Sequence, residues 1–390
     1  MGIEAPRADG GRRRQQNSQR QSRDTGTTTH SSIVAALDNV THTLVGWTLA
    51  RAGFNRRVPY ATATLLIASN APDLDIVTAF TGGSTAYLAA HRGVTHGPLG
   101  FLALGCGTAL LMFCWGVLRR KPTAASTTRA RWLLQLAGIA VMGVTLHALM
   151  DLPTSYGTRL LSPFDTSWYA LDWMPIIDIY LWAGLVGGIL LGRQYGNAQR
   201  WARFALLFLA LDYGARASLH HIALSDATAR EANGGAVACA THPTLVKHPA
   251  LIEAPLAGPH ACIQAAALPT FISPFAWRVI RQYPNGYELS DRNVLEQGAS
   301  VSSTWMPADT GPEIALARAT HTGRVFLDFS RFPSSHVIER SHEQIVVRFV
   351  DVRFVDVGSS LDPSPHARAP FVVTVALDPK GQVLREQLGN

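Results

Sequence analysis

The sequence predicts a fold class with two parts: an all-α multi-span membrane domain built as a helical bundle, then a β-rich soluble C-terminal domain. Three observations support this fold class. Only 16% of the 390 residues are charged, against roughly 25% in ordinary soluble domains. Apolar runs close to the length of a bilayer-crossing helix fill much of the first half of the chain. Alternating apolar and polar residues, the pattern of half-buried strands, recur in the last third.

The N-terminal segment, residues 1–36, is predicted to be a disordered basic arm. Up to Thr29 it is rich in Arg, Gln, Gly and Thr, with six arginines against three acidic residues and almost no apolar side chains. A segment of this composition cannot bury enough apolar surface to fold. Because no apolar core follows those arginines within the first thirty residues, a cleaved secretory signal is not expected.

Residues 37–224 are predicted to be the polytopic helical membrane domain. Four runs approach the ~20 apolar residues that cross a bilayer as a helix. These runs are Leu99–Leu118, Trp132–Asp151, Pro175–Gly192 and Phe204–Leu224. The alternative, buried helices in a large soluble core, gives the same pattern in any single run. Two shorter segments, Thr41–Gly53 and Val58–Ser69, flank the basic stretch RAGFNRR and are predicted to form a hairpin that enters the bilayer and returns.

The distribution of basic residues predicts the orientation of these helices. Segments 51–57, 119–131 and 193–203 contain three, five and three Lys or Arg and no acidic residue. Segments 71–97 and 152–174 contain one arginine each. By the positive-inside rule, the first three segments face the cytoplasm across the inner membrane, and the other two face the extracytoplasmic side. If every predicted helix crosses the membrane, counting back from these loops places the basic N-terminal arm on the extracytoplasmic side. Either the first hairpin is re-entrant, or the arm is a local exception to the positive-inside rule.

Everything after Leu224 is predicted to be extracytoplasmic. Residues 225–270, rich in Ala, Gly, Pro and His, are expected to form an irregular linker. Residues 271–390 are expected to form a β-rich domain. There GRVFLDFSRF, QIVVRFVDVRFV and PFVVTVALD alternate apolar and polar residues, and turn residues such as DPKG separate such runs.

The four cysteines divide between the two parts of the chain. Cys239 and Cys262 lie in the part predicted to be extracytoplasmic, where thiols tend to oxidise, so a disulfide between them is predicted. Cys106 and Cys114 lie within an apolar span and are predicted to be packed small side chains.

Polar residues gather in four places, each at the end of a predicted helix. DNVTH supplies His42, SNAPDLD supplies Asn70, Asp73 and Asp75, HRGVTH supplies His91, Arg92 and His96, and LHALMD supplies His147 and Asp151. In a chain that crosses the membrane alternately, the starts of inward helices and the ends of outward helices lie on one side. The four places are therefore predicted to converge at a single mouth opposite the basic loops. The pair in LHALMD is four residues apart, which puts both side chains on one helix face.

Imidazole and carboxylate donors in this mixture suit Zn²⁺, and Mn²⁺ or Fe²⁺ as well. The predicted ligands are His42, Asp73, Asp75, His91, His96, His147 and Asp151. Because these candidates exceed the three protein ligands of a typical catalytic zinc, one to three ions are expected. Arg92 is predicted to hold a phosphate oxygen of the substrate, while Asp73 or Asp75 orients the attacking water or takes its proton.

Each of these residues also has an ordinary structural interpretation. His42 or His91 alone would more often be a helix-cap or interfacial histidine than a ligand. Asp73 and Asp75 could simply end a helix and solvate a loop, and Asp151 could face water at a membrane boundary. Ionisable residues beside apolar spans are nevertheless functional candidates, because placing them near lipid is costly.

The motifs DNVTHTLVG, SNAPDLD, HRGVTHG and HALMDLPTSYG resemble, in order and spacing, those of the YdjM-like membrane-bound metal-dependent hydrolases. The resemblance covers residues 37 to about 224. That family is similar, more distantly, to the zinc-dependent phospholipase C and P1 nuclease group, helical enzymes that cleave phosphoesters at a zinc cluster. The resemblance implies a phospholipase C-like arrangement with ligands His42, Asp73, His96, His147 and Asp151, and with Asp75 and His91 close by.

The predicted function is that of an integral membrane hydrolase that cleaves a (phospho)ester of a lipid or lipid-linked substrate through metal-activated water. Two alternatives stay open. A membrane transporter would line a mid-membrane path with polar residues, whereas these clusters lie at helix ends. A metal-stabilised scaffold or binding protein would have a closed site with only protein ligands. The pI near 9.5 requires no nucleic-acid partner, because membrane topology accounts for most of the positive charge.

Overall fold

The computed structural model describes residues 39–119, 128–232, 239, 246–247, 262–296, 303–355, 369 and 371–389. The basic arm predicted at residues 1–36 lies outside the described residues. The described chain has a helical N-terminal half and a β-rich C-terminal domain with two four-stranded antiparallel sheets. This division into a helical part and a β-rich part is the one that the sequence predicts.

The helices of the described N-terminal half follow one another closely. They are α1 (residues 39–49), α2 (Ala61–Ala68), α3 (Val77–Ala90), α4 (Pro98–Leu118), α5 (Arg129–Asp151), α6 (Ile179–Gln194) and α7 (Ala198–Ala232). α1 continues through a π-helical turn, Ala50–Phe54, and a short helix, Asn55–Arg57, before the chain reverses into α2. Gly53 permits the kink, because its φ of 147° is strained for any residue with a Cβ. α1 and α2 form a helical hairpin around RAGFNRR.

Within the described residues, two helices are long and apolar enough to cross a membrane: α4, with 21 residues, and α5, with 23. They coincide with the predicted runs Leu99–Leu118 and Trp132–Asp151. The two helices pack side by side, and Gly105 of α4 lies directly against Val141 of α5, where a larger residue would collide. α6, with 16 residues, and α7 contain most of the other two predicted runs and pack against each other, but neither is among the helices of membrane-spanning length and hydropathy in the described part of the chain.

A dry apolar cluster joins α2 to α5. Leu65 and Ala68 of α2 and Leu136, Ala140 and Val144 of α5 are completely buried in it. Small residues at two of these positions let the helices approach closely, which improves van der Waals packing where lipid offers no hydrophobic driving force. The cluster thereby fixes the C-terminal ends of α2 and α5 relative to each other, and polar residues follow directly at both ends.

The two groups of cysteines have different outcomes. Cys239 and Cys262 form the predicted disulfide. The prediction that Cys106 and Cys114 are packed is wrong, because both are exposed on the outer face of α4. A helix that faces lipid is apolar on its outer face as well as its inner one, so its sequence carries no polar pattern that would distinguish the two faces.

Two antiparallel meanders form the C-terminal domain. The first sheet contains β3 (Gln264–Pro269), β4 (Ala276–Tyr283), β5 (Gly286–Asn293) and β6 (Ser303–Pro307), in that order. Helices α8 (Pro312–Ala319) and α9 (His321–Phe329) follow. The second sheet has the order β10-β9-β8-β7, from β7 (Pro333–Arg340), β8 (Ile345–Asp351), β9 (Val372–Leu377) and β10 (Val383–Leu388).

The range 225–270, predicted as an irregular linker, contains regular structure at both ends. α7 continues to Ala232, and β3 begins at Gln264. A short strand β2 (Val246–Lys247) pairs with β1 (Tyr169–Ala170) of the helical half. The chain therefore returns to the helical part before it enters the first sheet.

One predicted strand is wrong, because most of GRVFLDFSRF forms helix α9. Thr322, Phe326 and Phe329 are buried, and their spacing of four and three residues is that of one helix face. The Thr320 side chain caps this helix by accepting a hydrogen bond from the Gly323 N–H. The other two alternating segments form β8 and β9 as predicted.

The loop between α5 and α6, residues 152–178, lies between the helical part and the C-terminal domain. Three arginine contacts join the two parts: Arg331 Nη1 donates to Asp172 Oδ2 (2.5 Å), Arg353 Nη1 donates to the Ser155 carbonyl (2.6 Å), and Arg159 Nη2 donates to Asp328 Oδ2 (2.5 Å). Tyr156 of the loop packs among Phe329, Phe354 and Phe371 of the C-terminal domain. The C-terminal domain therefore packs against one side of this loop and holds it in place.

Candidate metal centre

Four of the predicted ligands bring donor atoms together at the end of α5. His147 and Asp151 lie on its last turns, His96 ends the 3₁₀ turn Val94–His96, and Asp73 lies in the 3₁₀ turn Pro72–Ile76. His96, His147 and Asp151 have side chains that are at most 1% exposed, whereas that of Asp73 is 20% exposed. The polar groups thus form a buried cluster with one side that opens toward the surface.

The distances between the four donor atoms match those around one small ion. His96 Nε2 lies 3.2 Å from His147 Nε2, and Asp151 Oδ2 lies 3.2 and 3.3 Å from these two nitrogens. Asp73 Oδ1 lies 3.4 Å from His147 Nε2 and 3.8 Å from His96 Nε2. Ligands about 2.0 to 2.1 Å from a tetrahedral zinc ion are separated by about 3.3 Å. Asp73, His96 and His147 therefore form a group whose donor atoms fit one ion of this size, and Asp151 Oδ2 lies beside both histidine nitrogens.

His42 extends the cluster on the far side of His147. Its ring stacks on the His147 ring with 3.7 Å between centroids, and its Nε2 lies 3.4 Å from Asp151 Oδ1. His42, His147 and Asp151 form a second group whose donor atoms are close enough to share an ion. Both groups contain His147, whose Nε2 would bind one ion at a time, so the two groups are alternative ligand sets around the same nitrogen.

Two hydrogen bonds orient the histidines of the cluster. His147 Nδ1 lies 2.7 Å from the carbonyl oxygen of Ser69, which follows α2, and a carbonyl can only accept. The proton of a neutral His147 therefore belongs on Nδ1, which leaves the Nε2 lone pair for a metal. The Thr95 hydroxyl lies 3.0 Å from His96 Nδ1 and restrains the orientation of that ring.

Asp75 and His91 lie behind this ligand set, paired with each other. His91 Nδ1 lies 3.1 Å from Asp75 Oδ2, which also accepts the backbone N–H of Arg92 at 2.8 Å. The same oxygen is 4.0 Å from His96 Nδ1, the nitrogen that faces away from His147. The structure therefore brings these two predicted ligands close to the centre but directs their donor atoms toward each other.

Arg92 contacts Asp151 of the cluster and two residues of the loop 152–178 beside it. Its Nη2 lies 3.1 Å from Asp151 Oδ1, and its Nη1 donates to the Gly157 carbonyl at 3.0 Å. The guanidinium also lies over the Tyr156 ring, 4.7 Å from the centroid, and Arg92 is 2% exposed. The side chain predicted to receive a substrate anion thus holds a carboxylate of the protein itself.

The carboxylates outside α5 are ionised at neutral pH. Burial raises the pKa of Asp73, but the charge of His147 and a hydrogen bond from it outweigh burial, so the pKa lies well below its ordinary value. Burial likewise opposes ionisation of Asp75, and the hydrogen bond and charge of His91 overcome it and lower the pKa. Of the two, only Asp73 directs its charged carboxylate toward the other donors, because that of Asp75 faces His91.

Gly97 gives the chain room to place His96, and its replacement by alanine is expected to weaken metal binding tenfold or more. A Cβ at Gly97 would lie 1.9 Å from the Ser162 carbonyl oxygen, so the backbone next to His96 must move. Metal affinity is measured by titration of the purified full chain. The control is Gly107→Ala on α4, because nothing lies within 4 Å of that Cβ position. Equal affinities in the two variants would contradict this role of Gly97.

Sequence reasoning missed three groups around the centre: the Ser69 carbonyl, the Thr95 hydroxyl and the Tyr156 ring. Ser69 and Thr95 are each adjacent in sequence to a quoted polar residue, and Tyr156 lies within HALMDLPTSYG. A backbone carbonyl carries no residue signature, so only the fold reveals its contact with His147. Tyr156 could have been found from its position inside the motif.

Comparison with known proteins supports the resemblance predicted from the motifs. Residues 37–223 match the model of the YdjM inner membrane protein family. Residues 312–390, which include α8, α9 and the second sheet, match the model of the YfhP C-terminal alpha/beta plait domain. No curated protein and no solved structure matches the chain. The family match and the two apolar helices together indicate a membrane protein.

Proposed function

We propose that this chain, whose helical part matches the model of the YdjM inner membrane protein family, is a membrane-embedded metal-dependent hydrolase acting on a (phospho)ester. The observation that carries the proposal is the convergence of carboxylate oxygens from Asp73 and Asp151 on the Nε2 atoms of His96 and His147. One of these donors lies on a side chain that is partly exposed, which gives a substrate access to the set. Zn²⁺ is the ion that this mixture of imidazole and carboxylate suits best.

The residues of the centre have distinct roles in this proposal. A divalent ion would supply Lewis-acid chemistry that polarises the ester and acidifies water. Asp73, as the partly exposed carboxylate, orients the attacking water or accepts its proton. Ser69 fixes the tautomer of His147, and Arg92 holds one oxygen of Asp151 so that the other faces the histidines. Asp75 restrains the turn that carries His96.

The surface beside Asp73 supports a lipid or lipid-linked substrate. Leu74, Ile76 and Phe80 are exposed there, and Phe80 is 85% exposed. A group of exposed apolar side chains next to a polar centre favours a molecule with both acyl and ester parts. The centre also lies at the end of α5, where a helix of membrane-spanning length stops.

Two observations support an extracytoplasmic position for the centre. The basic segments 51–57, 119–131 and 193–203 connect helix ends opposite to the end of α5 that carries Asp151. Cys239 and Cys262, which follow α7, form a disulfide, and disulfides persist in oxidising compartments. In this proposal the protein is a multi-pass protein of the inner membrane, and its C-terminal domain shares the side of the metal centre.

The proposal is tested with the purified full chain in lipid nanodiscs. A short-chain carboxylic ester, a phosphodiester and a phospholipid are offered with and without Zn²⁺ or Mn²⁺. We expect metal-dependent hydrolysis that falls by at least about 100-fold in Asp73→Asn, because a positioned acid or base contributes about that much. The control Asp291→Asn changes an exposed aspartate of the first sheet and should retain full activity. A metal-loaded wild type that turns over none of the three would overturn the proposal.

A metal-stabilised scaffold is the second candidate function, and one observation favours it. Structural zinc sites are closed by four protein ligands, whereas catalytic sites typically keep three and an open position. Asp73, His96, His147 and Asp151 supply four donors. The two candidates predict different effects of Asp73→Asn: a scaffold loses stability in step with metal, whereas a hydrolase loses turnover even when metal is retained.

A further inference from the structure

The turn between β3 and β4, residues 270–275, has an unusual surface for a domain outside the bilayer. Its sequence is TFISPF, without a charged residue. Phe271 is 56% exposed, Ile272 is 76% exposed and Phe275 is 37% exposed. Turns on water-exposed domains are normally polar, because apolar side chains gain nothing there. These three side chains form a small apolar tip at the end of a hairpin.

The hairpin packs along the last part of α7, which fixes the direction of its tip. Trp277, beside the turn, contacts His220 with 5.5 Å between ring centroids. Farther from the turn, Ala267 and Val279 share an apolar cluster with Ala223 and Leu224 of α7. The tip of the hairpin therefore lies beside residues of α7 that precede His220. That direction leads into the apolar run Phe204–Leu224 and toward the basic segment 193–203.

The tip also contacts the first turn of α6. The Tyr180 hydroxyl donates a hydrogen bond to the Ile272 carbonyl at 3.0 Å. Ile179 and Tyr180 are themselves 48% and 41% exposed, and the outer face of α6 continues with exposed Val186 and Leu190. The exposed apolar surface of the tip is thus continuous with the outward face of a helix in the membrane domain.

We propose that the turn 270–275 is a membrane anchor that inserts Phe271 and Ile272 into the interfacial layer of the bilayer around the protein's own helices. Aromatic and aliphatic side chains at this depth exchange water for acyl chains. Tyr180, at the same level, is a residue type enriched at membrane–water interfaces. The anchor holds the first sheet against the lipid surface and so fixes the C-terminal domain over the membrane. It operates whether or not the metal centre hydrolyses anything.

A fluorescent depth measurement tests the anchor. In the full chain with Cys106→Ala and Cys114→Ala, the substitution Ile272→Cys provides a single thiol for a bimane label, since Cys239 and Cys262 are disulfide-bonded. The control is Asn285→Cys in the β4–β5 turn, which is exposed and lies at the opposite end of β4, about 25 Å away. Both proteins are placed in vesicles with and without lipids that carry a nitroxide near the headgroup.

We expect the label at residue 272 to emit at shorter wavelength and to be quenched several-fold more strongly by the nitroxide lipid than the label at residue 285. Equal, weak quenching at both positions would show that the tip faces water and would overturn the proposal. A shift to shorter wavelength without lipid quenching, accompanied by a dependence on protein density, would also overturn it. In that case a second copy of the chain covers the tip.

Discussion

Replacing His147 by glutamine is expected to abolish tight metal binding, with a loss of affinity of at least about 100-fold. His147 belongs to both groups of converging donors, and its Nε2 lies within 3.4 Å of donor atoms from His96, Asp73 and Asp151. Glutamine keeps the side chain polar and of similar reach but removes the imidazole nitrogen. Metal content of the detergent-purified full chain is measured by mass spectrometry after reconstitution with Zn²⁺ and with Mn²⁺.

A second buried histidine provides the control for this prediction. His91 lies behind the ligand set, where its Nδ1 contacts Asp75. We expect His91→Gln to retain metal at close to the wild-type stoichiometry. Its metal affinity should fall by about 10-fold to 100-fold at most, which is the range for groups that orient ligands. An equal loss in both variants would mean that His91 is itself a ligand. A wild type that retains no metal after reconstitution would remove the basis of the metal centre.

Removing the Asp172 carboxylate by substitution with alanine is expected to destabilise the protein by about 3 to 5 kcal/mol. Arg331 and Asp172 are both 2% exposed and join the C-terminal domain to the loop 152–178. Without the aspartate, the guanidinium stays buried without a countercharge, which is far costlier than losing an exposed ion pair. Thermal unfolding in detergent should shift downward by on the order of 10 °C.

Two further variants show whether the buried charge is the cause of that shift. Asp291→Ala removes the partner of Arg278, but Asp291 is 62% exposed, so a change within about 0.5 kcal/mol is expected. Asp172→Ala combined with Arg331→Met keeps the same residue at position 172, whose φ is 59°, and removes the buried cation, so it should recover much of the stability. A double variant as unstable as Asp172→Ala would assign the effect to lost packing instead of the charge.

The sequence predicted the position of the centre better than the assignment of its ligands. His147 and Asp151 are four residues apart on a long apolar helix, and the structure places both side chains in the cluster as this spacing requires. Residue types alone do not distinguish Asp73 from Asp75, whereas the family resemblance implied Asp73 as a ligand with Asp75 close by, and only Asp73 faces the donors. They lie in a 3₁₀ turn, where residues two apart differ by about 240° around the axis, and that local geometry is not visible from residue types.

HRGVTH shows the same limit in a different way. Its two histidines have equal chemistry, but Arg92 between them adopts the left-handed conformation, with φ of 50°. This reversal directs His91 toward Asp75 and leaves the following turn to bring His96 to the donors. A non-glycine residue in that conformation is uncommon, so residue types alone do not predict it. The contacts of Arg92 with Asp151 and Tyr156 depend on the same reversal.

In the C-terminal domain, apolar alternation predicted strands correctly where the residue types also favour strands. It failed where the same segment also satisfies a helical spacing. PFVVTVALD forms β9, and its Val and Thr residues favour strands. GRVFLDFSRF satisfies a helical spacing equally well, and the cap at Thr320 selects the helix. Short runs of this kind are ambiguous until a capping residue or a packing partner is known.

The contacts of the C-terminal domain with the loop 152–178 form late in synthesis of the chain. Asp151, the last of the donor residues, emerges from the ribosome about 180 residues before Arg331 and about 200 before Arg353. The donors are therefore complete while the domain that presses Tyr156 toward Arg92 has not been synthesised. The packing of Tyr156 and Arg92 beside the donors is therefore completed only after the C-terminal domain has been made and contacts the loop.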